Sequence, residues 1–160
     1  MRAEAWHVHE TPLGALTLIA SARGLSGLRF PGRGPALAAT ARDPEALAGA
    51  ARQLDEYFAG ERHTFDVPLD LHGTAFQRAV WEQLRAIPYG ETTTYGTIAR
   101  ALGRIDRVRA VGAAVGRTPV PIVVPCHRVL GSDGSLTGYG GGLDRKQALL
   151  DLEHGRLALL

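Results

Sequence analysis

Apolar and polar positions along the first seventy residues alternate in three different ways. Leu13 to Ser21 mixes apolar and small residues, Gly24 interrupts it, and Leu25 to Phe30 resumes, which predicts a β-hairpin. The Gly/Pro-rich stretch from Pro31 to Pro44 predicts a loop. Asp43 is then placed to cap a helix with Pro44 at its first position, and Leu47, Ala51, Leu54 and Phe58 form an apolar stripe ending near Gly60. Beyond it, Phe65, Val67, Leu69 and Leu71 alternate as a half-buried strand does.

The pattern changes near His72-Gly73, which sets the expected division into residues 1–71 and 72–160. Thr74 and Gln77 have the spacing of a capping box ahead of a helix whose Phe76, Val80 and Leu84 share one face. Pro88-Tyr89-Gly90 ends it. A short helix is expected from about Tyr95, with Ile98 and Leu102 inward and Gly103 as its stop, and another after Asp106. Two short helices joined by a tight turn suggest helix-turn-helix. The second, Arg107 to Gly116, is built of small side chains. Two glycines inside a helix cost stability, so the pattern fits either close packing or approach of another surface.

Charge sharpens the second alternative. The net charge is only +2, but residues 1–71 carry seven Arg against nine Asp and Glu, while residues 72–160 carry eleven Lys and Arg against seven acids. Arg100, Arg104, Arg107, Arg109, Arg117 and Arg128 face only Asp106 between residues 100 and 128. That excess suits a phosphate backbone, and equally a solvated basic face. The apolar runs are too short to span a membrane, and the first ten residues lack a secretory profile, so a cytoplasmic location is expected. The scattered His7, His9 and His63 do not make a metal site.

Cys126 is the single cysteine of the 160 residues. Pro119 and Pro121 impose extended backbone, Ile122-Val123-Val124 reads as a short buried strand, and Pro125 stops it just before the thiol. Taken alone, Cys126 fits a small buried hydrophobe as well as a nucleophile. A reactive thiol needs a base or a positive field, and His127 and Arg128 offer both. Neighbouring side chains on a strand point to opposite faces, so His127 reaches the sulfur only if the chain bends at 126–128. Glu153 is a candidate to orient His127, on a C-terminal helix expected to start at an Asp144 cap with Gln147. Gly138 to Gly142 is too glycine-rich for a simple turn and lacks the ending of a phosphate-binding loop.

Together, Pro125-Cys126-His127-Arg128-Val129, Gly138-Tyr139 with Gly141-Gly142-Leu143, Pro88-Tyr89-Gly90-Glu91-Thr92 with Tyr95, and Arg109-Ala110-Val111-Gly112 resemble the O6-alkylguanine-DNA alkyltransferase family of direct-reversal repair proteins. The match spans roughly residues 74–154. Residues 1–71 are similar to the family's N-terminal domain only loosely. The resemblance implies an α+β protein, with a small ribonuclease-H-like domain at 1–71 and a winged-helix, helix-turn-helix domain at 72–160. It implies single-turnover transfer of an alkyl group to Cys126 after base flipping through the minor groove. His127 would be the general base through a water, Glu153 its orienting acid, and Tyr95 the proton donor to the leaving guanine. Arg109 would fill the gap in the duplex, with Thr94, Ala110, Gly112, Ala113 and Arg128 as further DNA contacts. Tyr139, the Gly140-Gly141 backbone, the Val129 carbonyl and Thr118 would form the base pocket. The implied partner is double-stranded DNA carrying alkylated guanine, with O4-alkylthymine a further candidate. No cofactor, metal or membrane is implied. A monomer is expected, with cooperative clustering on DNA left open. A lesion-binding module that does not react and a thiol hydrolase are the alternatives. Two positions depart from the family pattern: Thr118 stands where asparagine is usual, and Gly140 where some members have serine.

Overall fold

The computed structural model describes residues 4–32 and 41–156. The chain forms two compact units, one built on residues up to His72 and the other on residues from Gly73.

In the first unit β1 (Glu4–Thr11), β2 (Gly14–Ser21), β3 (Gly24–Arg29) and β4 (Ala41–Arg42) form one sheet in the order β3-β2-β1-β4. The hairpin expected from Leu13 to Phe30 is β2 and β3. Gly24 has a φ of +154°, and a Cβ there would fall 2.5 Å from the Pro68 carbonyl oxygen, so the turn and the close approach both require glycine. β1 was not expected, because its residues are half-buried or exposed, Val8 among the exposed ones, and this blurs the alternation. Ala41 and Arg42, expected in a loop, instead pair in parallel with Ala5 and Trp6 of β1; positions 33–40 of that expected loop lie outside the described residues. Leu54, Tyr57 and Phe58 of α1 (Ala48–Phe58) and Leu16, Leu18 and Leu28 of the sheet are buried.

Two expectations for this unit need correction. α1 begins at Ala48, not at Pro44; the Asp43 carboxylate accepts a 3.2 Å bond from Ala46 N–H and caps a preliminary turn instead. Residues 65–71 are not a strand. Pro68 has no N–H to give a ladder, and the segment touches β3 through one parallel bridge, Leu25 to Leu69, closed by Leu25 N–H to Pro68 and Asp70 N–H to Leu25.

The second unit is mainly helical. Thr74 and Gln77 complete the capping box of α2 (Ala75–Arg85) with bonds of 3.1 and 2.9 Å. After the short strand β5 (Thr93–Thr94), α3 (Tyr95–Ala101) and α4 (Val108–Gly116) form the expected pair of short helices, joined by a 3₁₀ turn at Ile105–Arg107. Val111, Ala114 and Val115 bury one face of α4 against α2, where the Trp81 indole N–H donates to the Ala114 carbonyl at 2.9 Å. Arg109, Ala113 and Gly116 stay exposed on the opposite face.

Ile122 to Val124 is a turn, not the expected strand, closed by Val124 N–H to the Val120 carbonyl at 2.9 Å. Prolines at 121 and 125 flank too few free N–H groups for a ladder. Cys126–Arg128 is a 3₁₀ turn, which supplies the bend expected there, and it leads into β6 (Val129–Leu130), paired in parallel with β5. α5 (Leu143–Glu153) starts after Gly142, whose φ of +91° sets the entry; Asp144 is its second residue and makes no cap bond. Among the described residues no helix is long and apolar enough to cross a membrane.

Candidate active site

The 3₁₀ turn after Pro125 carries Cys126, His127 and Arg128, all three buried. Cys126 is 6 % exposed, and its N–H bonds the Val124 carbonyl at 2.7 Å. The Thr118 hydroxyl and the backbone N–H groups of Ile122 and of Cys126 itself lie within hydrogen-bonding reach of its sulfur. Ile122 has a φ of +76°, a conformation that costs a β-branched residue about 1–3 kcal/mol. That strain accompanies an N–H aimed at the thiol.

The one hydrogen of the Thr118 hydroxyl goes to the Val115 carbonyl near the end of α4, at 2.7 Å, so the neutral thiol is the donor to Thr118 Oγ1. The helix and the sulfur are thus linked through one hydroxyl.

His127 is fully buried, and its Nε2 lies 2.7 Å from Glu153 Oε2. The same carboxylate receives Arg128 Nε at 2.8 Å and Nη2 at 2.9 Å, and Gly90 N–H approaches Oε1 at 3.4 Å. Arg128 Nη1 donates to the Ile87 carbonyl at 2.6 Å, and its guanidinium lies over the Tyr89 ring. Pro88-Tyr89-Gly90 therefore serves as the outer wall of the ion pair. Arg128 was expected at the DNA; it is only 6 % exposed and clamps Glu153, because a carboxylate buried this far requires a paired cation.

These surroundings set the protonation states. Burial would raise the Glu153 carboxyl, but hydrogen bonds from His127 and Arg128 outweigh it and hold the group well below the usual carboxylate range. Burial lowers His127 despite the Glu153 partner, so the imidazole is neutral at pH 7. Burial pushes the Cys126 thiol up to about 11, against the Thr118 hydrogen bond and the charge of Lys146. The arrangement is a neutral thiol beside a neutral imidazole whose other nitrogen faces a fixed anion.

Tyr95 opens α3, and its hydroxyl is 2.7 Å from Thr137 Oγ1. With Val108, Gly112, Gly116, Gly138, Tyr139 and Gly140 it lines a cavity of about 470 Å³. A Cβ at Gly116, Gly138 or Gly140 would meet nothing within 4 Å, and one at Gly112 would meet only Tyr95 Cδ1 at 3.8 Å. Internal packing does not require these glycines. They leave room for something else, at a volume typical of small-ligand pockets.

Tyr139 connects the cavity to the thiol, since burial first and then the Cys126 charge raise its phenol well above the usual value. Three residues expected at the pocket lie off this wall. Thr118 sits at the sulfur, Gly141 is buried with its carbonyl bonded to Arg145 at 3.0 Å, and the Val129 carbonyl accepts from Lys146 at 2.7 Å. Ala110 and Gly112 are half-buried on α4, and the Thr94 hydroxyl caps α3 through Thr97 N–H at 3.1 Å. A cavity of about 560 Å³ in the first unit, walled by residues such as Ser21, Leu25 and Leu47, carries no cysteine or histidine. Sequence reasoning missed Lys146, because a lysine early in a helix ordinarily signals a solvated face.

Family comparisons agree with this chemistry over nearly the whole chain. Residues 75–155 match the DNA-binding domain of 6-O-methylguanine DNA methyltransferase, and residues 5–71 match the ribonuclease-like domain of the same proteins. The chain belongs to the 6-O-methylguanine DNA methyltransferase family. It is 53 % identical over 146 residues to the methylated-DNA–protein-cysteine methyltransferase of Mycolicibacterium paratuberculosis, covering 90 % of this chain and 88 % of the relative. The protein of that name from Methanosarcina acetivorans is 46 % identical, over 91 % of this chain and 96 % of its own length. Among solved structures, Mycobacterium tuberculosis OGT in complex with DNA superposes with a TM-score of 0.88 at 49 % identity, over 96 % of this chain and 94 % of that one. The methyltransferase family's two-part α+β architecture is the one expected from the sequence.

Proposed function

We propose that this chain repairs duplex DNA by direct reversal, moving the alkyl group of O6-alkylguanine onto Cys126 Sγ in a single turnover. The observation that carries this reading is a buried thiol next to a His127–Glu153 pair, beside a cavity whose glycines leave space that packing does not fill.

Thiol and imidazole are both neutral at rest, so the proton leaves the sulfur during the reaction. His127 Nε2 is committed to Glu153, and the buried Nδ1 has no partner among the described residues; it is the atom that takes the thiol proton through a water. The imidazolium is stabilised by the ionised Glu153, as general-base catalysis requires. Sulfur attacks the alkyl carbon: the S–C bond forms, the C–O bond breaks, and its electrons go to the guanine oxygen. Tyr95, anchored by Thr137, gives the leaving base a proton and recovers one from His127 through solvent. Thiol and alkylated base become thioether and guanine. A thioether is not cleaved by water or a second thiol, so each molecule works once.

The lesion lies inside the duplex and must be extruded, at a cost of a few kcal/mol. Arg109 fills the gap from the minor groove, a role supported by its exposure on α4 beside the small residues Gly112, Ala113 and Gly116. Arg109→Ala is expected to lose most of its activity on duplex DNA while free O6-benzylguanine still labels Cys126 at the wild-type rate; equal loss on both substrates would contradict the extrusion role. The Thr118 link has a separate test. Thr118→Val removes one hydrogen bond to the sulfur and is expected to slow O6-benzylguanine labelling about tenfold, the scale of one such bond, with Thr118→Ser restoring it. A reactive free thiol suits the reducing cytoplasm as the working compartment.

The deciding experiment is intact mass spectrometry after incubation with an O6-methylguanine duplex. One methyl group, on the peptide containing Cys126, is expected. An unmodified protein under conditions that label a working alkyltransferase would overturn the proposal.

A further inference from the structure

Lys146 is 0 % exposed, and among the described residues no carboxylate pairs with it. Its placement is unfavourable twice over. A buried ammonium without a counter-ion loses hydration, and a cation in the first turns of a helix opposes the helix dipole. Its ammonium donates to the Val129 carbonyl at 2.7 Å and to the Thr137 carbonyl at 3.2 Å. Val129 follows the Cys126–Arg128 turn directly, and the Thr137 hydroxyl is the one that holds Tyr95. One ammonium therefore joins the strand leaving the nucleophile to the segment anchoring the proton donor. Two carbonyls solvate a cation but do not neutralise it.

We propose that Lys146 is a positioning residue of the transfer site, whose buried ammonium fastens Val129 to Thr137 and supplies the positive charge that offsets the sulfur when Cys126 gives up its proton. The inference rests on Cys126 as the alkyl acceptor. The charge relation is mutual: burial lowers Lys146 while the Cys126 charge raises it, and the Lys146 charge pulls the thiol down. The other groups around the sulfur are the Thr118 hydroxyl, the Tyr139 phenol, and His127 with its Glu153–Arg128 pair. None of these is a second free cation, since the Arg128 charge is taken by Glu153. Once the sulfur carries an alkyl group it can no longer ionise, so no thiolate forms for Lys146 to offset.

The test measures the pH dependence of Cys126 alkylation by iodoacetamide, a small neutral electrophile, in wild type, Lys146→Met and Lys146→Gln. Glutamine keeps an N–H donor for the carbonyls and removes the charge. Both variants are expected to shift the midpoint at least one unit alkaline and to slow alkylation at pH 7.5 about tenfold or more. An unchanged midpoint in both, or full rescue by glutamine, would overturn the proposal. Should neither variant fold, the wild type decides: the alkaline titration of Lys146 Nζ followed by NMR is expected to show a second step as the Cys126 thiol ionises, absent after Cys126 is benzylated with O6-benzylguanine, and a profile unchanged by benzylation refutes the coupling. Failure of the wild type to take an alkyl group from DNA would refute the repair reading instead, and the iodoacetamide profile would still report on Lys146.

Discussion

Cys126→Ser is expected to fold, to bind DNA, and to take up no methyl group from an O6-methylguanine duplex. The change replaces sulfur by oxygen at a site that is 6 % exposed, so packing is nearly preserved while the chemistry is not. A serine hydroxyl is far less acidic than a thiol, and its oxygen is a harder, poorer nucleophile for displacement at a saturated carbon. His127 can take a proton from a thiol at about 11, but not usefully from an alcohol several units higher. The loss should be on the order of 10⁴-fold or more, the scale of deleting a nucleophile. Intact mass and methyl uptake measure it, and a gel shift with the lesion duplex checks binding. A serine variant that still cleared the lesion would place the reactive atom elsewhere.

The same pair of proteins carries a pH signature. The thiol's folded value, about 11, lies above its ordinary 9.0. A raised acid contributes stability that is complete below the unfolded value and is lost as pH rises through the folded one. Wild type should therefore lose stability relative to Cys126→Ser between pH 9 and 11, read as a difference in urea midpoints.

How much of this was legible beforehand depended on whether the signal was local. The Thr74–Gln77 capping box, the Gly24 turn, the Gly103 stop and the bend at Cys126–Arg128 all follow from chemistry within a few residues, and all are present. Where the outcome depends on partners far along the chain, local reasoning failed. Residues 65–71 alternate like a strand, but Pro68 limits them to one bridge with β3. Ile122 to Val124 are strand formers by composition, yet flanking prolines and the demands of the thiol put Ile122 at positive φ.

The site divided the same way. Cys126, His127, Tyr95 and Tyr139 could be found from the motifs that hold them. That His127, Arg128 and Glu153 form one buried unit could not be read from composition, because an arginine between 100 and 128 looks like the rest of the basic face until Glu153 arrives from α5. Lys146 is the extreme case, a lysine with no local hint of burial.

That unit also carries the second large effect. Glu153→Gln is expected to destabilise the protein by about 3–5 kcal/mol, because it leaves the Arg128 guanidinium buried without its counter-charge. Against a typical total of about 5–15 kcal/mol this is a large fraction, visible as a drop in the urea midpoint. Alkyl transfer should fall further than stability alone explains, by about 10²–10⁴-fold at temperatures where the variant is folded, since His127 loses the anion that supports its imidazolium. The sign of the pH effect is also determined. Glu153 titrates well below the ordinary carboxylate range in the folded protein, so its contribution is present above about pH 4.3 and disappears as pH falls toward the folded value. Wild type should lose this contribution in acid while Glu153→Gln, lacking it throughout, shows a shallower acid slope. The double variant Arg128→Met/Glu153→Leu separates the two roles. Removing both charges should recover part of the lost stability, as replacement of a buried pair by apolar groups often does, and should recover none of the transfer rate. Recovery of transfer in the double variant would mean that Glu153 serves the fold and not the reaction.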